Sequence, residues 1–452
     1  MSEETQIRVI SGLETIGGNI VSLTCGQYQL ITDFGALVGA DIQTLLDRQK
    51  TRELASENLL PQVEGVYASH QLGDLTLASF EESPLSTIIC LSHLHLDHVG
   101  SLGQIHHDIP VFLSEPAHEF YQKLQEFDYL PHYEVNWQAV NYDQEFSHGP
   151  FKICFKESDH DTVGASAIFI QTDDLKVVVS GDCRLTGFEP EKVLEWTKAA
   201  HAFAPDLLFM EGTAYSWEDN KDEVSLAIEE QTQSLEAINE RQLLNKIKDL
   251  ILDHKDQLFA INTYPQNVDR IYKLNQLLIQ NNRKFVLDQN YYSLLKAYQA
   301  EAIESFFYLG RQTEVGNDKL ITVDEIKAHP EKYCLLIDFN RHQLMYELPA
   351  GIYLHSNGLP LGPYMAGYES FLTGLIDYGW CFYHAEVSGH AYQEDLLTIA
   401  YAINPKYIIP WHTYRPIEYG LALADYGLTV FHPELLKKYT LAQIKEADLC
   451  SN

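Results

Sequence analysis

Ser92-His93-Leu94-His95-Leu96-Asp97-His98-Val99-Gly100 packs three histidines and an aspartate into the six positions from His93 to His98. Imidazoles and a carboxylate on one short turn can converge on divalent cations with little chain entropy left to lose. Imidazole nitrogen with carboxylate oxygen suits zinc best among the common metals, with manganese or iron as other candidates. The preceding run Thr87-Ile88-Ile89-Cys90-Leu91 is apolar and strand-like, so the cluster sits on the loop leaving that strand.

More ligand candidates follow in order. His160 lies in Ser158-Asp159-His160-Asp161-Thr162, just before the apolar run Ala167 to Ile170. Asp182 lies in Ser180-Gly181-Asp182-Cys183, after the strand-like run Lys176 to Val179. His412 ends Ile408-Ile409-Pro410-Trp411-His412. Each borders a β run, so strand ends on one sheet face could gather all of them. With 19 histidines in the chain, each alone is a weak signal, and their company gives them weight.

Taken together, HLHLDH, a later histidine, GDC and PWHT resemble the metallo-β-lactamase fold. The start agrees: Asn19 to Thr24 and Tyr28 to Asp33 read as a hairpin ending in Asp33-Phe34-Gly35, similar to that family's first motif. The resemblance makes Asp33 a carboxylate that orients ligand histidines. It also implies that His93, His95 and His160 hold one zinc. Asp97, His98 and His412 would hold a second, with Asp182 bridging the two.

At 452 residues the chain exceeds one usual domain, and 45% hydrophobic residues suffice for ordinary cores. Seven cysteines without CxxC spacing indicate reduced thiols. Met1-Ser2-Glu3-Glu4-Thr5 is acidic and lacks an apolar signal region, and no apolar run approaches the roughly 20 residues of a membrane span. A cytoplasmic location is expected. The net charge of −33 counts against general nucleic-acid binding, although two zincs would bring positive charge into a cleft.

From Gln6 to Glu211, short β runs alternate with turns and helices; after Gly212 the texture changes. Glu223 to Asp253 reads as mostly helix, with Leu235, Ile238, Leu243, Leu244, Ile247, Leu250 and Ile251 at helical spacing. A strand Leu258 to Ile261, a helix from about Asn267 to Gln280 and a strand Lys284 to Leu287 follow. A strand pair, Cys334 to Ile337 and Gly351 to Leu354, completes an α/β module with parallel pairing. His412 comes some 200 residues after Glu211, so the chain leaves the metal domain, builds a second one and returns.

That inserted module resembles the β-CASP domain of nucleases such as ribonuclease J. Leu207-Leu208-Phe209-Met210-Glu211-Gly212-Thr213 is similar to the strand ending in the family's first acidic β-CASP motif. Glu386-Val387-Ser388-Gly389-His390-Ala391 is similar to the segment carrying the next motif histidine, and Asn262 to Arg270 to a ribonuclease J segment entering the second helix. The implied fold is a metallo-β-lactamase αββα sandwich with an inserted α/β β-CASP domain: residues 1–212, the insert 213–385, and a completing segment 386–452. The chain ends about 40 residues past His412, so the extra C-terminal domain of typical ribonuclease J is not expected.

The resemblance implies two-zinc hydrolysis of a phosphodiester, with manganese as a substitute, through a metal-bridging hydroxide to which Asp97 contributes. His390, oriented by Glu211, would protonate the leaving 3′ oxygen, and Ser388 would contact substrate. Single-stranded RNA is the expected substrate and a homodimer the expected assembly. Arg270, Lys273, Arg283, Lys284 and Lys296 either line an RNA channel or are helix surface interleaved with Asp269 and Asp288. Two other classes share part of the pattern. A hydrolase of small esters, thioesters or lactones would need neither the large insert nor His390. A non-catalytic scaffold of an RNA-processing complex would not need all seven ligand positions filled.

Overall fold

The computed structural model describes residues 4–216, 231–299, 306–309, 319–337, 339–360, 362, 365 and 367–451. Its strands form three sheets. The first is seven-stranded, in the order Lys438–Tyr439, Gln6–Ser11, Ile20–Cys25, Tyr28–Thr32, Ser86–Cys90, Pro110–Ser114, Asn136–Val140. The second is six-stranded: Tyr407–Trp411, Leu207–Glu211, Lys176–Val179, Ser166–Gln171, Phe151–Glu157, Glu145–His148.

Strand periodicity of two explains how these sheets stack. Val177 and Val179, Leu207 and Phe209, and Ile88 and Cys90 point into the layer between the sheets, packed with Val21, Leu23, Phe151, Ile153 and Trp411. The alternate residues Val178, Leu208 and Met210 face outward, onto helices Glu191–Phe203, Gln393–Ile403 and Pro416–Asp425. Ile89 and Leu91 face outward on the first sheet, in the same core as helix Glu115–Glu126. The result is a helix–sheet–sheet–helix sandwich, as expected.

The third sheet is entirely parallel, in the order Gln233–Ser234, Cys381–His384, Ile352–Ser356, Phe259–Thr263, Tyr333–Leu336, Lys284–Leu287, Phe307–Leu309, Leu320–Ile321. It is spliced between Leu207–Glu211 and Tyr407–Trp411, which are hydrogen-bonded neighbours in the second sheet. The insert shares a core with the sandwich: Phe120 packs tilted against Tyr298 with ring centroids 4.7 Å apart, and Tyr129 against Tyr291 at 5.1 Å.

Three expectations are corrected. Helix does not fill 223–253: residues 223–230 lie outside the described ones, Gln233–Ser234 is an edge strand, and the helix spans Glu240–Asp253. The Asn239 side chain accepts from Gln242 N at 2.9 Å and so starts the helix there, leaving Leu235 and Ile238 before it. Leu243, Ile247 and Ile251 form its buried stripe. Second, Tyr333–Leu336 and Ile352–Ser356 do not pair with each other; they flank Phe259–Thr263. Third, the basic stretch is surface only in part. Lys273, Lys284 and Lys296 are exposed, but Arg270 and Arg283 are buried. Arg283 donates to the carbonyls of His254, Lys255, Gln257 and Tyr333.

Arg270 belongs to a buried ionic network. Its guanidinium holds Glu240 at 2.7–3.2 Å, and Glu240 also accepts from Arg184 Nη1 at 3.0 Å. Arg184 reaches Asp159 Oδ1 at 3.1 Å. Arg270 further donates to Ser356 O, Asn357 Oδ1 and Val387 O. All three central side chains are essentially fully buried. The network therefore ties the insert to the residues beside His160 and Asp182. Truncating the shared anion leaves two buried guanidiniums without it, so Glu240→Ala should cost about 3–5 kcal/mol of stability. Denaturant unfolding monitored by circular dichroism measures this; a loss below about 1 kcal/mol, the scale of an exposed pair, would refute it.

Candidate metal centre

Strand Ser86–Cys90 ends at the mouth of the sandwich, and the chain turns there through His93 and His95 into the short helix Leu96–Val99. The turn is held from below by Asp33, which has a left-handed backbone (φ 57°). Its carboxylate accepts from Ser92 N at 2.7 Å, Ser92 Oγ at 2.9 Å and His98 Nδ1 at 3.0 Å. Asn19 N donates to Asp97 O at 3.0 Å. Gly35 passes so close that a Cβ there would stand 1.6 Å from Asp97 O.

Across the mouth, Asp182 follows strand Lys176–Val179, His412 follows Tyr407–Trp411, and His160 follows Phe151–Glu157. The donors thus come from both sheets of the sandwich, not from one sheet face. The second sheet's strand ends bring Asp182, His160 and His412 against the turn that leaves the first sheet.

Two donor groups result, each with ligand atoms within 4.8 Å of one another: His93, His95 and His160, and Asp97, His98, Asp182 and His412. Asp182 stands between them. Its Oδ2 is 3.6 Å from His93 Nε2, 3.3 Å from His98 Nε2, 3.8 Å from His160 Nε2 and 3.6 Å from His412 Nε2. Asp97 Oδ2 lies 3.0 Å from His412 Nε2 and 3.4 Å from His98 Nε2. All seven expected ligands are brought together.

The groups fit cations. His93 Nε2 and Asp182 Oδ1 are buried without a hydrogen-bond partner among the described residues, and a nitrogen–oxygen donor set of this kind matches divalent metals. Burial holds the His93 imidazole well below its usual range, which leaves it neutral and able to donate a lone pair. Burial pushes the Asp182 carboxyl up, but the imidazoles of His412, His98 and His390 outweigh it and hold the group well below the carboxylate range.

His390 arrives from the segment leaving the insert. Its Nδ1 lies 3.4 Å from Glu211 Oε1 and 3.8 Å from Asp182 Oδ2. Glu211 is fully buried at the end of its strand and accepts from Cys183 N at 3.4 Å and Thr213 N at 3.0 Å. Burial opposes a charged His390, yet the carboxylates of Glu211 and Asp182 outweigh it and raise the imidazole to about 10. Ser388 Oγ accepts from His390 N at 3.0 Å, which shapes the turn that presents His390.

Sequence reading missed Asp161, whose Oδ1 is 3.3 Å from His160 Nε2 and 3.6 Å from His95 Nε2. Its place directly after His160 was the available signal. Tyr264, from the insert, packs edge-on to His95 at 5.4 Å, and only the fold could show that.

This is the fold and donor set of a metal-dependent hydrolase of the metallo-β-lactamase class. Residues 75–245 match the family model described as the β-lactamase superfamily domain. Ribonuclease J of Mycoplasma genitalium is 23% identical over 445 residues, covering 90% of this chain and 68% of that protein. Ribonuclease J of Mycoplasma pneumoniae is 21% identical over 449 residues, with the same coverage. A crystal structure of a protein of unknown function from Enterococcus faecalis V583 shares the fold, with a TM-score of 0.79 and 24% identity over 97% of this chain and 100% of that one. The chain is thus a metallo-β-lactamase-fold protein that resembles ribonuclease J along most of its length. No helix among the described residues is long and apolar enough to cross a membrane.

The approach of Gly35 to Asp97 yields a test of how the turn is held. Gly35→Ala must displace backbone that carries Asp97 and His98, so it should weaken metal binding and cost about 1–3 kcal/mol. Metal titration with parallel unfolding measures both; wild-type values in each would show that the turn is not constrained from this side.

Proposed function

We propose that the protein is a zinc-dependent ribonuclease of the β-CASP type, hydrolysing the phosphodiester backbone of single-stranded RNA. In this reading His93, His95 and His160 hold one zinc, Asp97, His98 and His412 hold another, and Asp182 serves both; manganese is the alternative metal. Ions bound there would act as Lewis acids toward the scissile phosphate and make a nucleophile available near neutral pH.

The observation that carries the reading is the His390–Glu211 pair beside the donor groups. Hydrolysis that leaves a 5′-phosphate and a 3′-hydroxyl needs a proton at the departing 3′ oxygen. His390, with Glu211 Oε1 3.4 Å from its Nδ1, can hold that proton and deliver it. Glu211 cannot swing away, because two backbone N–H groups fix its carboxylate. Asp33 keeps His98 in the tautomer that turns Nε2 toward the centre. Ser388, on the same turn as His390, would meet the substrate.

The 23% identity to a ribonuclease J over 90% of the chain supports RNA as substrate. Residues 213–385 are read as the β-CASP domain, bounded by 1–212 and 386–452. The net charge of −33 makes the metal centre itself the main attraction for phosphate. A cytoplasmic, dimeric enzyme completes the proposal; light scattering tests the dimer.

The test compares two reactions in one variant. His390→Ala should keep about two zinc per chain by elemental analysis, as wild type should, while RNA cleavage falls roughly 10²–10⁴-fold, the usual general-acid contribution. Hydrolysis of an activated ester, whose leaving group needs no proton, should barely change. Unaltered RNA cleavage with full metal content would remove the support for a nuclease.

A further inference from the structure

We propose that Asp161 is the positioning residue for His95, fixing which of its ring nitrogens faces the first metal. The inference rests on the metal-centre reading above and adds a residue to it.

A histidine that ligates through one nitrogen needs its other nitrogen held, or the ring and its tautomer drift. Four of the five ligand histidines have that partner. His93 Nδ1 pairs with Ser92 Oγ at 3.0 Å and His98 Nδ1 with Asp33 Oδ2 at 3.0 Å. His412 Nδ1 pairs with Thr213 Oγ1 at 2.6 Å, and His160 Nδ1 donates to Gly389 O. In each the Nε2 is left for the centre.

His95 is reversed. Its Nδ1 faces the centre, 3.1 Å from His160 Nε2, so its Nε2 must be the held nitrogen. That Nε2 is buried and has no hydrogen-bond partner among the described residues. Asp161 Oδ1, 3.6 Å away, is also buried and also lacks one. Two orphaned polar atoms of opposite character, donor and acceptor, face each other, and burial makes leaving both unmade costly.

The same oxygen is 3.3 Å from His160 Nε2, but it cannot accept there. Donation from His160 Nδ1 to Gly389 O leaves Nε2 with a lone pair, not a proton. Gly389 also fixes where Asp161 stands: a Cβ at that position would lie 2.8 Å from the carboxylate. The turn that delivers His390 therefore also closes over the supports of His95 and His160.

The test is competition of zinc against a chromophoric chelator, on the full chain, for wild type, Asp161→Ala and Asp161→Asn. Asp161→Ala should weaken one of the two ions about 10–100-fold and leave the other unchanged, the usual scale for losing a ligand's hydrogen-bond partner. Asp161→Asn keeps an acceptor oxygen in the same shape and should restore affinity to within several-fold of wild type. Wild-type affinity in Asp161→Ala would overturn the inference. Equal loss in both variants would also overturn it, since a direct ligand needs the charge that Asn lacks. Failure of the wild type to bind zinc would instead strike the metal-centre reading itself.

Discussion

One oxygen atom organises this molecule. Asp182 Oδ2, on a buried side chain, has nitrogens of His93, His98, His160, His390 and His412 within 3.8 Å. So many lone pairs around one buried carboxylate are costly without positive charge to share. The arrangement persists because rigid elements impose it. Two sheets end at the same edge, each ligand leaves a strand end, and Asp33, Ser92 and Thr213 lock rings from behind. Rigid placement costs no reorganisation when a metal or a charged transition state arrives.

The insert is joined to that edge rather than appended to it. Glu240 binds Arg184, which stands two residues past Asp182, and Arg270, which reaches Ser356, Asn357 and Val387. One buried carboxylate thus links a metal-ligand segment, the insert's second helix and the segment that presents His390. Motion of the insert relative to the sandwich would have to break this network, so the position of His390 is coupled to it.

Much of the centre was legible in the sequence because its donors are chemically rare together. HLHLDH, GDC and PWHT carry six donors at strand ends, His160 adds the seventh, and the fold gathers them all. The inserted topology was legible too, from the distance between Glu211 and His412. What failed has two causes: partners distant in sequence, and a local cap that apolar spacing hides. Arg270 looked like a helix-surface charge because its ligand, Glu240, lies on another helix. The start of the Glu240 helix was hidden because Leu235 and Ile238 continue the apolar spacing, whereas Asn239 ends it by capping. Asp161 was passed over because its role depends on His95 being turned the opposite way from the other ligand rings, which no spacing encodes.

The most direct measurement is cleavage of 5′-labelled single-stranded RNA and DNA by the purified protein, before and after removal of metal with a chelator. The account predicts RNA cleavage that leaves 5′-phosphate and 3′-hydroxyl ends, is abolished by the chelator and returns on adding zinc or manganese. RNA cleavage that survives complete metal removal, or a metal-loaded protein that cuts neither nucleic acid, would contradict it.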